Sequence, residues 1–164
     1  MRIHMSAEHQ GWDLAKQLEA WLVTQGHEIL WHGAEFKDEG DDYPLFTIRT
    51  AQAQLADEDA GVAAKSIVVG CDGSGEVIAA NKVNGARATL AMNAKQVEHA
   101  RKHADASLLV IGSNHHSFEQ AKELIEIFLA TAFGDLIDDA RRIINTTEFE
   151  NSGTIEGWMI GYQE

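Results

Sequence analysis

Residues 66–76 read Ser66-Ile67-Val68-Val69-Gly70-Cys71-Asp72-Gly73-Ser74-Gly75-Glu76, and the architecture of the chain follows from them. The continuous apolar run ends at a glycine, which predicts a strand buried on both faces. A glycine-rich turn follows, and the pattern beyond it predicts a short helix that ends at Ala80 or Asn81. A buried strand that passes through a tight turn into a helix is typical of a parallel sheet covered by helices.

Strands and helices alternate on both sides of this unit. Strand patterns cover residues 2–6, 27–31, 66–69, 86–90 and 108–111, and helical spacing covers residues 14–22, 44–56, 76–81, 93–104, 121–129 and 138–149. Gly26 is expected as the C′ residue of the first helix, and Asp41 or Asp42 as the cap of the second, with Pro44 in its first turn. The alternation predicts an α/β fold with a five-stranded parallel sheet between two helical layers.

The length of the chain fits one domain. The 164 residues amount to 18.0 kDa, and we place the domain at residues 1–150 and a tail at residues 151–164. The tail carries Trp158-Met159-Ile160 and Tyr162, which is too apolar for a free end. We therefore expect the tail to pack on a partner subunit.

Composition excludes several classes of protein. Lysine and arginine number 13 against 26 acids, and the formal net charge of −13 disfavours a nucleic-acid or anionic-membrane partner. No apolar run approaches the roughly 18 residues of a spanning helix, and residues 1–5 lack the features of a signal peptide. The lone Cys71 suits a reducing compartment. We expect a cytoplasmic protein with neither a membrane nor a nucleic acid as partner.

Most reactive side chains follow the predicted strands, where ligands bind in parallel sheets. The turn 70–76 lets the backbone approach a ligand and offers helix N–H groups to an anion, although a tight turn without ligand explains it as well. Glu76 is either a general base or a first-turn acid that favours the helix dipole. Cys71 is a nucleophile, a base or a buried thiol. Asp72 close to Glu76 would repel a phosphate or raise the pKa of both carboxyls.

Histidines supply further candidates. Glu8 and His9 follow the first strand, where a carboxylate and an imidazole can share protons or serve the structure alone. His99 and His103 have the i,i+4 spacing that can hold zinc or manganese, but neither an H-E-x-x-H pattern nor an obvious third ligand accompanies them. The adjacent His115-His116 is typical of a solvated loop.

Residues 73–82, Gly73-Ser74-Gly75-Glu76-Val77-Ile78-Ala79-Ala80-Asn81-Lys82, with Gly85-Ala86-Arg87 after them, resemble the ribose-5-phosphate isomerase B / galactose-6-phosphate isomerase family. The resemblance extends over residues 1–150. Supporting matches are Glu8-His9-Gln10-Gly11, Gly26-His27-Glu28, Asp42-Tyr43-Pro44, Ala100-Arg101-Lys102-His103 and Leu109-Val110-Ile111-Gly112.

The resemblance implies a Rossmann-like three-layer α/β/α fold and an aldose–ketose isomerase that needs no metal or other cofactor. Ribose 5-phosphate is the implied substrate, and the implied assembly is a homodimer with active sites at the interface, which does not exclude a tetramer. One branch of the family uses a cysteine base at the position of Gly70. The other, typical of actinobacteria, uses a glutamate at the position of Glu76. Cys71 is displaced by one residue and so faces the other way, which favours Glu76 as the base.

The resemblance also assigns the remaining roles. His103 and the acid Glu8 would open the sugar ring, His9 and Tyr43 would line the pocket, and the backbone N–H groups of residues 72–75 would stabilise an enediolate. The expected catalytic residues are Glu76, His103, Glu8 and Asp72, and the expected substrate-binding residues are His9, Tyr43, Gly70, Cys71, Gly73, Ser74, Gly75, Asn114 and Arg142.

Several positions depart from the family pattern. Glu8 stands where the family has aspartate, and Asp72 stands where it has serine or threonine. Three positions that hold phosphate-binding arginines in the family are here Asn114, Asp138 and Arg142. Each charged donor to a phosphate contributes roughly 1.5–3 kcal/mol, so phosphate binding weakens unless Arg141, lysines or histidines replace the missing ones. Two alternatives follow: the same chemistry on an unphosphorylated or different sugar, or a non-catalytic sugar-binding paralogue.

Overall fold

The computed structural model describes residues 1–155 and has the Rossmann-like α/β architecture that the sequence predicts. The strands are β1 (Arg2–Ala7), β2 (Glu28–Trp31), β3 (Ala64–Gly70), β4 (Ala88–Leu90) and β5 (Leu108–Gly112). The helices are α1 (Trp12–Thr24), α2 (Tyr43–Asp59), α3 (Ser74–Ala80), α4 (Ala94–Ala104), α5 (Phe118–Ala130) and α6 (Ile137–Ser152). All the elements expected from the sequence within residues 1–155 are present, with ends shifted by a few residues.

The sheet is parallel throughout, in the order β2-β1-β3-β5-β4. From β1 the chain goes to β2 at one edge, and from β3 it goes to β4 at the other edge and then returns to β5 between β3 and β4. The direction of the winding changes between β1 and β3, which makes this boundary the switch point of the topology. Ala7 pairs with Val69, and Gly70 pairs with Gly112, so three strands end side by side. The loops that follow them meet at this edge.

β3 is buried on both faces, as its apolar run predicts. Ile67 and Val69 point into the larger part of the core, against α1, α4 and α5. Val68 points to the opposite face and packs with Ala51 of α2 and Ala80 of α3. Helices therefore cover both sides of the sheet, which confirms the three layers.

α6 is the least buried helix that the structure describes. Within it only Asp139 is buried, whereas Ile137, Ile144 and Phe149 expose their apolar side chains. α6 continues past residue 150, so the predicted domain boundary falls inside its last turn. The apolar tail residues 158–162 lie outside the described residues. None of the helices within residues 1–155 combines the length and apolarity required to span a membrane.

Two local expectations about helix ends have different outcomes. Gly26 adopts the left-handed conformation, with φ +82°, directly after the end of α1, as a C′ glycine does. Asp42 is the N-cap residue of α2, but its side chain makes no capping hydrogen bond. The neighbouring Asp41 turns its carboxylate to His9 instead. The loop before α2 is thus tied to the end of β1.

Candidate active site

A cavity of about 320 Å³ opens at the switch point, and we call it the strand-edge cavity. It is lined by residues 8–10 after β1, by residues 41–43 at the start of α2, and by residues 71–72 and 74–76, which follow β3 and form the first turn of α3. The register of the strands brings these three loops together, although they are distant in sequence. Most of the site residues expected from the sequence therefore share one cavity.

Glu76 lies in the first turn of α3 and faces this cavity, yet only 4% of the residue is exposed. Burial raises the pKa of its carboxyl above the ordinary value, and the negative charges of Glu8 and Asp72 raise it further. A first-turn acid that merely complements the helix dipole has no need of burial. A carboxyl with a raised pKa, placed in a cavity, is a stronger proton acceptor than an ordinary glutamate.

Gly70 at the end of β3 makes room for this carboxylate. A Cβ atom added to Gly70 would lie 1.7 Å from Oε1 of Glu76, which is far inside van der Waals contact. A side chain at position 70 and a glutamate at position 76 therefore exclude each other in this conformation. The adjacent Cys71 also lines the cavity, and its Sγ accepts a hydrogen bond from Nδ2 of Asn114 at 2.8 Å. Asn114 itself lies beside the cavity.

The turn between β3 and α3 is held by Asp72. Its Oδ1 accepts a hydrogen bond from the backbone N–H of Ser74 at 2.7 Å, and this bond lowers the pKa of Asp72. The expectation that Asp72 and Glu76 raise each other's pKa is therefore correct for Glu76 and wrong for Asp72. Of the N–H groups of residues 72–75, which are expected to stabilise an enediolate, that of Ser74 donates to Asp72.

Two positions of the turn require glycine because a side chain there would collide with neighbouring residues. Gly73 is the N-cap residue of α3 and has φ +85°. A Cβ atom there would lie 2.5 Å from Cδ1 of Leu90. Gly75 lies against the ring of Tyr43, whose Cζ would be 2.5 Å from an added Cβ. Tyr43 thus forms a wall of the cavity, and the turn can approach it closely only with glycine at position 75.

His9 is clamped between two carboxylates. Its Nδ1 lies 2.9 Å from Oε2 of Glu8 and 2.8 Å from Oδ1 of Asp41, whose Oδ1 also accepts the backbone N–H of His9 at 2.9 Å. The hydrogen bond to Asp41 raises the pKa of His9, and the charge of Glu8 adds to the effect. Glu8 is fixed in turn by the N–H groups of Gln10 and Gly11. His9 therefore carries its proton on Nδ1 and leaves Nε2 as the other hydrogen-bonding atom.

Glu8, His9 and Asp41 also form the one group within residues 1–155 whose ligand atoms are close enough for a metal ion, within 4.8 Å of one another. The histidine pairs singled out in the sequence join no such group in this part of the chain. A protonated Nδ1, however, has no lone pair for a metal, and both carboxylates already accept hydrogen bonds. The arrangement suits proton handling better than metal binding.

His103 and Arg142 lie in a different place. They line a second cavity of about 540 Å³ between residues 85–89, α4 and α6, which we call the helix-lined cavity. Asp139 joins them: its Oδ2 lies 2.7 Å from Nδ1 of His103, and its Oδ1 lies 2.6 Å from Nη1 of Arg142. Within one chain, His103 therefore does not share a cavity with Glu8 and Glu76.

Sequence reasoning missed two side chains that organise these cavities. Asp41 has a signal, because it directly precedes the Asp42-Tyr43-Pro44 motif in an acid-rich loop, but the same position also suits a helix cap. Asp139 has none, since its spacing to Arg142 is shared by the neighbouring pair Asp138 and Arg141, which is exposed. Only the packing of α6 distinguishes the two aspartates.

Known proteins resemble this chain over most of its length. A family model described as Ribose/Galactose Isomerase matches residues 3–145. Ribose-5-phosphate isomerase B of Mycolicibacterium paratuberculosis is 37% identical over 152 residues, 93% of each chain. Its Mycobacterium tuberculosis counterpart (strain H37Rv) is 36% identical over 93% of this chain and 91% of that one.

Solved structures show the same likeness. Ribose-5-phosphate isomerase B of Clostridium thermocellum superposes with a TM-score of 0.86 at 29% identity, over 94% of this chain and all of that one. The Mycoplasma genitalium enzyme, solved with bound ribulose 5-phosphate, superposes with a TM-score of 0.84 at 26% identity, over 92% and 97% of the two chains. The chain belongs to the ribose/galactose isomerase family and is an aldose–ketose isomerase.

Proposed function

We propose that the protein interconverts ribose 5-phosphate and ribulose 5-phosphate through an enediolate, with Glu76 as the base. The observation that carries this proposal is the buried Glu76 carboxylate, which lies over the side-chain-free end of β3 inside a cavity. The names of the relatives supply the substrate, since those reported above act on ribose 5-phosphate.

Proton transfer is the step that the strand-edge cavity suits. Glu76 takes the proton from C2 of the open-chain aldose, and the C2 electrons form the double bond of the enediolate. The same carboxyl delivers the proton to C1 while a hydroxyl proton passes from O2 to O1. Its raised pKa brings the base closer to working pH, which favours both directions of transfer.

Positive charge near the developing enediolate comes from His9. Asp41 and Glu8 raise the pKa of His9, which favours the charged imidazole, and Nε2 is left to serve the substrate oxygens. The N–H of Ser74 donates to Asp72, and that of Gly75, the next in the first turn of α3, has no acceptor within its own helix. Such preorganised donors stabilise an oxyanion more effectively than water does.

The phosphate end of the substrate requires cations that the strand-edge cavity lacks. Its lining, which lies entirely within residues 8–76, contains no lysine or arginine. His103 and Arg142 are on the helix-lined cavity, beside the exposed apolar residues of α6. We infer a homodimer in which this surface of one copy covers the strand-edge cavity of the other and completes the site.

The direct test is conversion of ribose 5-phosphate by the purified protein in ²H₂O. We expect ribulose 5-phosphate to form and solvent deuterium to appear at the carbon that receives the proton. Activity that persists after chelation would support chemistry without a metal. Absence of both conversion and exchange would overturn the proposal and favour a sugar-binding paralogue.

A second candidate keeps the chemistry and changes the substrate. The strand-edge cavity is lined by five acids, and Asp72 occupies a position where the family has a hydroxyl. This charge favours a sugar end without phosphate there. A panel of four- to six-carbon aldoses, each with and without phosphate, decides between the candidates, because faster turnover of the free sugars would reject ribose 5-phosphate.

A further inference from the structure

We propose that Asp139 is a positioning residue that acts through His103: it fixes the imidazole so that Nε2 is the free base for sugar-ring opening. The inference rests on the proposed function and extends it to the step that precedes proton transfer at carbon. Asp139 does not line either cavity described above. Asp139 can therefore affect a substrate only through the side chains to which it is hydrogen-bonded, His103 and Arg142.

The burial of Asp139 sets it apart from the rest of α6. Only 5% of its side chain is exposed, whereas the side chains of His103 and Arg142 reach solvent. Both carboxylate oxygens are used, Oδ2 by Nδ1 of His103 at 2.7 Å and Oδ1 by Nη1 of Arg142 at 2.6 Å. Asp139 thus binds an imidazole on one oxygen and a guanidinium on the other, and hydrogen bonds to a charged carboxylate are stronger than those between neutral groups.

The hydrogen bond to Asp139 decides which nitrogen of His103 is free. A carboxylate can only accept, so the proton of the neutral imidazole lies on Nδ1, and the lone pair lies on Nε2. His103 is one of the residues that line the helix-lined cavity. The pKa of Asp139 is held low, first by the bond from His103 and then by Arg142, which keeps the acceptor charged.

Ring opening needs a base of this kind. Nε2 takes the proton of the C1 hydroxyl, the C1–O1 bond becomes a carbonyl, and the bond from C1 to the ring oxygen breaks with its electron pair on that oxygen. The imidazolium then returns the proton to the ring oxygen. Atoms and charge balance without a co-reactant. With the other tautomer, Nε2 would carry a hydrogen and could not begin the step.

The chain offers a matched control on the same helix. Asp138 is paired with Arg141 at 3.0 Å with the same i,i+3 spacing as Asp139 and Arg142. Its side chain is 64% exposed, and no histidine is paired with it among the ion pairs of residues 1–155. Asp138→Asn therefore removes an equivalent charge from α6 without touching the imidazole.

The test compares two rates for Asp139→Asn. The first is turnover of ribose 5-phosphate, which is largely cyclic and must open. The second is deuterium exchange at C1 of ribulose 5-phosphate, which has no free hydroxyl for a five-membered ring and needs only Glu76. Positioned proton transfer contributes about 10²–10⁴-fold. We expect aldose turnover to fall at least about tenfold while exchange changes less than about twofold.

Two further variants sharpen the result. Asp139→Glu keeps the charge and should recover part of the aldose turnover, and Asp138→Asn should keep the wild-type ratio of the two rates. An equal loss of both rates in Asp139→Asn, or a loss of neither, would overturn the positioning role. A wild-type protein that shows neither rate would instead overturn the proposed function, so the two failures are distinguishable.

Discussion

The strand-edge cavity and the helix-lined cavity differ in charge and in what holds their side chains. The first is lined by five acids and His9, on loops that follow strands paired in a fixed register. The second contains His103 and Arg142, on helices joined through Asp139. Backbone pairing positions one set, and a single buried carboxylate orients the other.

This difference separates proton transfer at carbon from the retention of substrate. Glu76 is placed by β3, α3 and the space above Gly70, all within one chain. Arg142 lies on α6, whose apolar residues Ile137 and Ile144 are exposed in the single chain. Changes at the strand edge should therefore affect proton transfer at carbon, and a change at Arg142 should affect the binding of the sugar phosphate.

The largest effect is expected for Glu76→Gln. The amide cannot accept the substrate proton, so kcat should fall by about 10²–10⁴-fold with a small change in KM. Steady-state kinetics with ribose 5-phosphate provides the measurement. Glu119→Gln is the matched control, because Glu119 also lies in a first helical turn but is exposed on α5. Unimpaired activity of Glu76→Gln would show that Glu76 is not the base.

A smaller loss is expected for Gly70→Ala, which tests the same cavity without touching its carboxylate. The added methyl group must displace Glu76, since its Cβ would lie 1.7 Å from Oε1. A displacement of about 1 Å from productive geometry can cost about 10²-fold in turnover, so we expect a fall of that order. Gly40→Ala is the control, because its nearest atom would be at 3.4 Å. Equal turnover in both variants would show that Glu76 does not need its present position.

Arg142→Ala tests the other cavity and should change binding more than turnover. A charge-assisted hydrogen bond contributes about 1.5–3 kcal/mol, so KM for ribose 5-phosphate should rise about tenfold to a hundredfold. The neighbouring Arg141 does not line the cavity, and Arg141→Ala should leave KM nearly unchanged. The reverse result, with the larger effect in Arg141→Ala, would assign the phosphate to Arg141.

The sequence predicts the strand-edge cavity better than the helix-lined one for a physical reason. The apolar run at residues 67–69 and the glycines after it define a buried strand and a close turn by local rules. Parallel pairing then brings the end of β1 next to the end of β3. Glu8 and Glu76, which follow these two ends, therefore line the same cavity. The α/β fold and the acid-lined edge follow from such local signals.

Local sequence signals do not determine which of two adjacent, chemically identical side chains makes a given contact. Asp41 binds His9 while Asp42 begins α2, although the two aspartates are adjacent and chemically identical. Asp139 rather than Asp138 is buried because of how α6 lies on α4, which depends on the whole packed structure. A pattern in one sequence cannot distinguish such neighbours.

The smallest predicted effect is a shift in the pH dependence of Asp72→Asn. Glu76 acts as a carboxylate, so activity is present above its pKa and is lost as the pH falls through it. Because burial raises that pKa first and the charges of Glu8 and Asp72 raise it further, removal of the Asp72 charge should move the acid limb of kcat/KM to lower pH by a fraction of a unit. The asparagine Oδ1 can still accept the N–H of Ser74, which preserves the turn. Asp59→Asn, exposed at the end of α2, is the control. An acid limb that stays in place in Asp72→Asn would mean that a group other than Glu76, such as His9, limits the rate at low pH.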